Sequence, residues 1–291
     1  MNIVLTGATG FIGSHLRKEL AAGNDVVAPV RQIPQGAGEN VAWVQSDLAN
    51  GERLSASLPG STDAVVHLAQ SKGYRHFPDE AADIFDVNVA STLALLEYAR
   101  KSGAKTFIFA STASIYQQGR EPLHEDAPLV PASFYARSKR MAEMLVESYA
   151  GFFRCIILRI FTVYGPGQAG MLIPGLIEKV RSGSPIQVQG KEGLTLSPVY
   201  VDDVNRAIRA SLEQGTAPGL EIINVGGGEQ LSIRRMGEAI GSVLGIAPQF
   251  EFTPGDEPGG WTADTARMAS VLELAGLTTF EQGIRKTVSP S

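Results

Sequence analysis

The chain has 291 residues, of which 44% are hydrophobic and 19% charged, and its formal net charge is -5 at pH 7. These values are typical of a globular enzyme and exclude a disordered chain. Because the sequence has no block of basic residues, nucleic acids and anionic membranes are poor partners. A single cysteine, Cys155, excludes an internal disulfide and fits a reducing compartment. No apolar run approaches the ~18 residues of a membrane span. We therefore expect a cytoplasmic protein.

The chain opens with an apolar strand that begins at residue 2 and runs into a glycine-rich turn, Gly7-Ala-Thr-Gly10-Phe-Ile-Gly13. Such glycines let the backbone bend tightly and approach a pyrophosphate closely. The helix that follows begins near Phe11, and the first N–H groups, on Phe11, Ile12 and Gly13, have no partner within the helix and lie at its positive end. A second apolar strand, Asp25–Val30, follows. This order predicts a dinucleotide pocket in preference to a bare structural turn.

Strand and helix signals alternate through the first half of the chain. Buried strands are predicted at Asp63–Leu68, Lys105–Ala110 and Arg154–Ile160. Helical spacing is predicted at 83–102 and 134–150. The alternation predicts an α/β fold, a doubly wound parallel sheet with helices on both faces.

The regular alternation weakens in the C-terminal part, where glycine and proline become denser, although Ile222–Val225 still has the character of a sheet strand. We expect a dinucleotide-binding domain at 1–165, to which 196–228 returns. A smaller C-terminal α/β substrate-binding lobe would comprise 166–195 and 229–291. Ligands of such sheets bind at the carboxyl ends of the strands, which is where this lobe would cover the substrate.

Proton-transfer chemistry is indicated by Tyr135 and Lys139, which are four residues apart and share one face of the predicted helix. An adjacent ammonium favours the phenolate, so we expect a lowered pKa for Tyr135. Ser111 and Thr112 follow the strand 105–110, at the sheet edge where a substrate hydroxyl would lie, and Thr112 can hydrogen-bond that hydroxyl. The alternative for Tyr135 and Lys139 alone is an amphipathic helix with a surface lysine.

In their order along the chain, these motifs resemble the extended short-chain dehydrogenase/reductase family, also called the NAD-dependent epimerase/dehydratase family. The resemblance covers nearly the whole chain and also includes Asp47-Leu48, His67–Ala69, Asn88–Thr92, Leu158–Pro166, Val199–Asp203 and Asn224–Gly228. It implies a Rossmann fold and an NAD(P)-dependent enzyme that interconverts a secondary alcohol and a ketone on a sugar-like substrate, of which a nucleotide sugar is one form. The alternative is a non-catalytic NADP-binding regulatory or redox-sensing protein, but such relatives typically lose the tyrosine or the lysine.

The resemblance also implies roles for single residues. The residues that would line the cofactor are Asp47 and Leu48 at the adenine, and Leu68, Ala69 and Gln70 after their strand. Lys139 would hold the nicotinamide ribose, and Tyr135 would move the proton while hydride passes at C4 of the nicotinamide. Simpler alternatives remain for Asp47, as a solvated loop carboxylate, and for Asn88, as a helix-packing amide. For His67 we favour a structural role.

The end of the second strand departs from the pattern of NAD-preferring relatives, which carry there an acidic residue that binds both ribose hydroxyls. This chain has Val30 followed by Arg31. An arginine at this place can pair with a 2′-phosphate, so the sequence predicts NADP as the preferred cofactor. NAD is the alternative, in which Arg31 only stacks on the adenine.

The substrate positions depart from the family as well. Relatives that dehydrate nucleotide sugars carry an Asp-Glu pair directly after the catalytic threonine. This chain has Ala113 and Ser114 at these positions, and neither side chain is a carboxylate. We therefore exclude 4,6-dehydration, so that 4-epimerisation and ketone reduction remain. Nucleotide-sugar relatives neutralise the sugar diphosphate with two arginines, and this chain has Leu196 and Thr253 at those positions. A family asparagine is replaced by Thr162. We predict Thr162 and Thr112 as substrate contacts. The cations that could substitute are Lys191, Arg234 and Arg267.

Two expectations concern metals and partners. Asp202 and Asp203 suggest a metal pair, but no third ligand is spaced near them, so we expect a helix N-cap and no metal. The helices 83–102 and 134–150 resemble the pair that relatives pack into a dimeric four-helix bundle, which implies a homodimer. The alternative is that their outer faces are solvated.

Overall fold

The computed structural model describes residues 1–35 and 41–289, and the chain forms two compact units. The first unit comprises Met1–Ile115, Leu129–Arg159 and Asn205–Ile223. The second comprises Tyr116–Pro128, Ile160–Val204 and Asn224–Ser291.

The strands in chain order are β1 (Asn2–Thr6), β2 (Asp25–Val30), β3 (Ala42–Gln45), β4 (Ala64–His67), β5 (Thr106–Thr112), β6 (Arg154–Ile160), β7 (Val163–Tyr164), β8 (Ile186–Gln189), β9 (Thr195–Leu196), β10 (Val199–Tyr200), β11 (Gly219–Val225), β12 (Leu231–Ser232) and β13 (Phe250–Thr253). In the described part of the chain, seven of these strands form one parallel sheet, in the order β11-β6-β5-β4-β1-β2-β3. This order and the helices between its strands confirm the predicted doubly wound α/β fold.

The helices follow the strands in the expected alternation. In the described part of the chain, none of them is both long and apolar enough to cross a membrane. They are α1 (Phe11–Leu20), α2 (Gly51–Ser57), α3 (Ala81–Phe85), α4 (Ser91–Ser102), α5 (Phe134–Ser148), α6 (Leu172–Ser182), α7 (Val201–Glu213), α8 (Ile233–Leu244), α9 (Ala266–Val271) and α10 (Phe280–Val288).

The central strands are buried along their whole length, because helices cover both faces of a parallel sheet. Every residue of β4, β5 and β6 is buried. Two predicted strands, Asp25–Val30 and Arg154–Ile160, have the observed bounds, whereas β5 extends two residues beyond the predicted 105–110 and includes Thr112. The extension matters for function, since it holds Thr112 in the rigid sheet and not in a loop.

The predicted helix 83–102 is continuous over 81–102 but contains a π-helical turn at Asp86–Ala90, between α3 and α4. Periodicity does not predict such a turn, since it adds one residue within an otherwise α-helical segment. Asn88 lies in this turn and is 1% exposed. The turn therefore places a polar side chain in the interior, where it finds partners described below.

Within its described residues, the second unit contains three two-stranded pairings. The strand β13 runs parallel to β8, β10 runs parallel to β7, and β12 runs antiparallel to β9. Helices α6 and α8 bury apolar faces that include Leu176 and Ile240. The second unit thus mixes short strands with helices, and the bounds of 166–195 and 229–291 expected for the C-terminal lobe lie within it.

Candidate active site

The glycine-rich turn between β1 and α1 is closed by backbone contacts that leave no room for side chains. Gly7 has a φ of 71°, in the left-handed region that favours glycine. A Cβ on Gly13 would lie 2.2 Å from the carbonyl oxygen of Gly7, and a Cβ on Gly7 would lie 2.7 Å from the amide nitrogen of Ala69. Glycine is thus required at both positions for the turn to pack against the end of β4.

The N-terminus of α1 emerges from this turn with its amide groups available. Gly10 is the N-cap residue, and no side chain caps the helix among the residues described. The first amides, on Phe11, Ile12 and Gly13, therefore point from a positive helix end with no intrahelical partner. This backbone cradle fits the pyrophosphate of a dinucleotide.

The predicted adenosine contacts lie at the ends of β2 and β3. The amide of Ser46 donates to the carbonyl oxygen of Val30 at 2.8 Å, which holds the two strand ends side by side. Arg31 follows with an exposed side chain, Asp47 is exposed, and Leu48 is partly buried. The structure therefore brings these three predicted residues to one edge of the sheet.

The next predicted cofactor residues follow β4, beside the glycine turn. The amides of Leu68 and Ala69 donate to the carbonyl and hydroxyl oxygens of Thr6 at 3.4 and 3.3 Å. Gln70 follows with an exposed side chain. These contacts fix the segment at the carboxyl end of the central strands, which is where ligands of such sheets bind.

Tyr135 lies in the first turn of α5, at the same edge of the sheet. The helix is capped by Ser133, whose hydroxyl accepts from the amide of Ala136 at 3.1 Å. The hydroxyl of Tyr135 donates to Oε1 of Gln70 at 3.1 Å, and its ring lies 5.1 Å from that of Tyr74. The side chain is partly exposed, so its hydroxyl is accessible to a small ligand.

The hydroxyl of Thr112 is the second polar group at Tyr135. Its Oγ1 accepts from the amide of Ser114 at 3.2 Å. Burial raises the pKa of Tyr135 to about 12, although the hydrogen bond with Thr112 lowers it. This corrects the sequence prediction of a lowered pKa, because desolvation of the phenolate outweighs the polar contact.

Lys139 lies one helical turn after Tyr135 and is 2% exposed. Its Nζ is 4.4 Å from the centre of the Phe109 ring. Burial lowers the pKa of Lys139 to about 7, and the nearby carboxylate of Glu143 counteracts that lowering. The lysine is therefore a buried group of the site and not the surface lysine of an amphipathic helix.

A buried ion pair behind Lys139 was missed by the sequence analysis. Glu143, one further turn along α5, is fully buried, and Arg159 in β6 is 2% exposed. The guanidinium donates to both carboxylate oxygens, from Nε to Oε1 at 3.1 Å and from Nη2 to Oε2 at 3.0 Å. Arg159 lies in a predicted buried strand, and this was the signal that could have revealed the pair, since a buried guanidinium requires a carboxylate.

Asn88 connects three segments around the site. Its Oδ1 accepts from the amide of Ser71 at 2.9 Å, and its Nδ2 donates to Oγ of Ser138 at 2.9 Å. Ser138 in turn donates to the carbonyl oxygen of Tyr135 at 2.8 Å. Asn88 thus fixes the backbone on which Tyr135 and the Ser71 segment lie, without contacting the phenol.

His67 has the environment of a structural histidine. Its two ring nitrogens lie 2.7 Å from Oγ1 of Thr6 and 3.1 Å from Oγ1 of Thr92. Burial, followed by the charge of Lys139, lowers the pKa of His67 to about 3. The imidazole is therefore neutral at physiological pH. Cys155 is buried in β6, and burial raises the pKa of its thiol to about 12, so it is no nucleophile.

The predicted substrate residues of the second unit have separate surroundings. Thr162 is partly buried, and its carbonyl oxygen accepts from the amide of Val199 at 2.9 Å. Leu196 is 4% exposed and pairs with Leu231 across β9 and β12. Thr253 is exposed at the end of β13. Leu196 is thus part of the core of this unit.

The cations that could replace the two arginines have different environments. Lys191 and Arg267 are exposed. Arg234 forms an ion pair with Glu238 at 3.0 Å within α8, and Glu192 lies 3.7 Å from it.

Asp202 and Asp203 lie within the first turn of α7, which begins at Val201, and so do not occupy the predicted N-cap position. Oδ2 of Asp203 accepts from the amide of Thr278 at 2.9 Å, while Asp202 lies 3.8 Å from Lys286. Among residues 1–35 and 41–289, no group of three or more His, Cys, Asp or Glu side chains could hold a metal ion. The two carboxylates are placed to favour the positive end of α7.

Comparison with known proteins identifies the family. Residues 3–226 match the model of the NAD dependent epimerase/dehydratase family. The chain is 31% identical to UDP-glucuronate 4-epimerase of Thermodesulfobacterium geofontis, covering 98% of this chain and 94% of the relative. It is 29% identical to dTDP-4-dehydro-6-deoxy-D-allose reductase of Streptomyces bikiniensis, with 94% and 90% covered.

A solved structure agrees with these relatives. The crystal structure of UDP-glucuronic acid 4-epimerase from Bacillus cereus, in complex with UDP-glucuronic acid and NAD, superimposes with a TM-score of 0.85 at 28% identity. The match covers 98% of this chain and 97% of that chain. The resemblance seen in the sequence is confirmed: this chain is an enzyme of the short-chain dehydrogenase type and belongs to the NAD-dependent epimerase/dehydratase family.

Proposed function

We propose that this enzyme interconverts a secondary alcohol and a ketone on a nucleotide sugar, as a 4-epimerase or a ketoreductase. The observation that carries the proposal is the convergence of Thr112, Tyr135 and Lys139 at the edge of the sheet that also carries the glycine turn. Thr112 can hydrogen-bond a substrate hydroxyl, Tyr135 can move the proton of that hydroxyl, and Lys139 can hold a ribose. A non-catalytic protein has no need of this combination.

A nicotinamide cofactor, when bound, supplies the group that accepts hydride from the alcohol carbon and returns it to the ketone. The residues that we assign to it are Gly7, Gly10, Phe11, Ile12 and Gly13 at the pyrophosphate, Arg31, Asp47 and Leu48 at the adenosine, and Leu68, Ala69, Gln70, Tyr135 and Lys139 towards the nicotinamide. Tyr135 removes the proton of the substrate hydroxyl as the phenolate, and Thr112 orients that hydroxyl. Thr162 is our predicted further substrate contact.

The assignment of the units follows from these roles. We assign the dinucleotide to the domain predicted at 1–165, with 196–228 returning to it; of this returning segment, Asn205–Ile223 lies in the first unit. The lobe of 166–195 and 229–291 would supply substrate contacts. Ala113 and Ser114 follow Thr112 and provide no carboxylate, so the site has no acid and base for 4,6-dehydration.

The proposal is tested by supplying UDP-glucose and UDP-glucuronic acid to the purified protein and following the sugar by NMR and the cofactor by absorbance. Conversion of one C4 epimer to the other without net change in nicotinamide absorbance identifies the epimerase. Consumption of one reduced cofactor per ketone, supplied as a 4-keto sugar nucleotide, identifies the reductase. Failure of both, with cofactor bound, contradicts the proposal.

Leu196 and Thr253 lead us to expect weak binding of the sugar diphosphate. A diphosphate that leaves water without guanidinium partners forfeits charge-assisted hydrogen bonds of about 1.5–3 kcal/mol each. We therefore expect calorimetric titration with UDP, GDP and dTDP to give dissociation constants above the micromolar range. Submicromolar binding would show that other cations, such as Lys191 or Arg267, have replaced the two arginines.

We further propose that NADP(H) binds more tightly than NAD(H), although the Bacillus cereus epimerase was solved with NAD. Val30 brings no carboxylate to repel a 2′-phosphate, and the exposed guanidinium of Arg31 directly follows β2. One hydrogen bond to a charged group, at roughly 1.5–3 kcal/mol, corresponds to a preference on the order of tenfold to a hundredfold.

Fluorescence titration of the wild type and of Arg31→Ala with NADPH and NADH checks this preference. We expect Arg31→Ala to abolish it, and the matched control Arg53→Ala, which removes an exposed charge on α2, to retain it. Equal affinities of the wild type for both cofactors would return the assignment to NAD.

The protein is proposed to be a cytoplasmic homodimer that pairs through α4 and α5. Leu93 and Met144 on these helices are exposed large apolar side chains, as are the nearby Phe85 and Phe152. Exposed apolar side chains on both helices support an interface there. The single buried Cys155 fits a reducing compartment.

A further inference from the structure

The hydroxyl of Tyr135 has a second hydrogen-bonding partner, which the roles above do not use. It donates to Oε1 of Gln70 at 3.1 Å. The sequence predicted Gln70 only as a residue lining the cofactor. Since the phenol oxygen is the atom that exchanges the proton, a side chain bonded to it belongs to the chemistry of the site.

The position of Gln70 is fixed by its neighbours in the chain. The amide of Ala69 donates to Oγ1 of Thr6 at 3.3 Å, and the amide of Ser71 donates to the buried Oδ1 of Asn88 at 2.9 Å. The backbone on both sides of Gln70 is therefore anchored to separate elements of the first unit. Its side chain leaves this anchored backbone at a defined place beside the phenol.

An amide side chain can serve both protonation states of a phenol. The carbonyl oxygen accepts from the neutral hydroxyl, and after a half turn of the amide its NH₂ group lies in the same place and donates to the phenolate. We propose that Gln70 is a positioning residue of the proton-transfer step. Its amide oxygen accepts a hydrogen bond from the Tyr135 hydroxyl before deprotonation, and its NH₂ group donates one to the Tyr135 phenolate afterwards.

The charged and titratable groups around the phenol favour such a donor. On its own helix, Lys139 lies one turn away, and its charge interacts with the carboxylate of Glu143. From the segment after β4, the phenol of Tyr74 lies against Tyr135 and opposes a negative charge there, and the guanidinium of Arg75 lies 5.1 Å from the centre of the Tyr74 ring. Thr112 and Gln70 are neutral groups that can donate a hydrogen bond to the phenolate directly.

The proposal rests on the proposed function, so its first test needs neither cofactor nor turnover. The protein is produced with 3,5-difluorotyrosine, which lowers phenol pKa values into a range where proteins stay folded, and titrated by ¹⁹F NMR. Tyr135 is assigned among the seven tyrosines by the signal lost in Tyr135→Phe. The variants are Gln70→Leu and Gln70→Glu, with Gln249→Leu and Gln249→Glu as matched changes at an exposed glutamine of the second unit.

We expect Gln70→Leu to raise the pKa of Tyr135 by about one pH unit, because a hydrogen bond to the phenolate is stronger than one from the neutral phenol. Gln70→Glu should raise it further, since its carboxylate cannot donate and repels the phenolate. The Gln249 variants should leave the titration unchanged. An unchanged pKa of Tyr135 in both Gln70 variants would overturn the proposal, even if the protein proves to be an epimerase.

The second test is the pH dependence of kcat in the holoenzyme. Gln70→Leu should lower kcat about tenfold below the apparent pKa of the wild-type profile, and its own apparent pKa should lie about one pH unit higher, because its phenolate forms at higher pH. A structural lesion would lower kcat by the same factor at every pH, and that outcome also contradicts the proposal. If the wild type has no turnover, the proposed function fails while the NMR titration still decides the role of Gln70.

Discussion

Replacing Tyr135 by phenylalanine is expected to lower kcat by roughly 10²- to 10⁴-fold, the range by which a positioned acid or base accelerates proton transfer. The change removes only the hydroxyl. The ring remains in contact with that of Tyr74, 5.1 Å away, and the capping of α5 by Ser133 is unaffected. We therefore expect the dissociation constant of the cofactor to change little.

Steady-state kinetics and fluorescence titration of the cofactor separate these two effects. The control is Tyr149→Phe, the same change at the C-terminal end of α5, where the hydroxyl donates to Glu97 at 2.7 Å. The control should retain kcat. A Tyr135→Phe enzyme with most of its kcat would remove Tyr135 from the proton-transfer step, and with it the central role in the proposed function.

The sequence predicted the sheet well because burial in a parallel sheet has a direct signature. In Arg154–Ile160 the apolar run 155–158 marks the strand, and the structure has the predicted bounds. The end of β5 was predicted two residues short, because the polar Ser111 and Thr112 end the apolar run of that strand. They remain in the strand because both are buried within the fold.

Contacts between distant residues set the limit of sequence reasoning at the site. The spacing of Tyr135 and Lys139 was readable, since both lie on one helix. The contact of Gln70 with Tyr135 joins positions 65 residues apart. Likewise, the π-helical turn at Asp86–Ala90 presents Asn88 to Ser71 and Ser138, which belong to other segments. No local pattern encodes these pairings, because they depend on how the helices pack.

The raised pKa of Tyr135 has the same origin. From sequence, the nearby ammonium of Lys139 suggested stabilisation of the phenolate. In the structure both side chains are desolvated, which disfavours phenolate and ammonium alike and moves the two pKa values to about 12 and about 7. Burial, which depends on the whole fold, therefore decides the direction that spacing alone predicted wrongly.

The buried pair of Glu143 and Arg159 gives the largest expected effect on stability. Glu143→Met removes the carboxylate that accepts two hydrogen bonds from the buried guanidinium of Arg159. Arg159→Met removes the guanidinium that donates these two hydrogen bonds to the buried carboxylate of Glu143. Breaking a buried pair in this way typically costs about 3–5 kcal/mol of the free energy of unfolding. We expect each single variant to lose stability of this order in urea denaturation.

The double variant Glu143→Met/Arg159→Met should lose less than the sum of the two single variants, because neither charge of this pair is then left in the interior without the other. Arg100→Met provides the control, since it breaks an exposed pair with Glu97 on α4 and should change stability only slightly. Additive losses in the double variant would mean that packing of the two side chains, and not charge compensation, stabilises this part of the fold. Recovery in the double variant would instead show that compensation between the two buried charges holds Glu143 of α5 against Arg159 of β6.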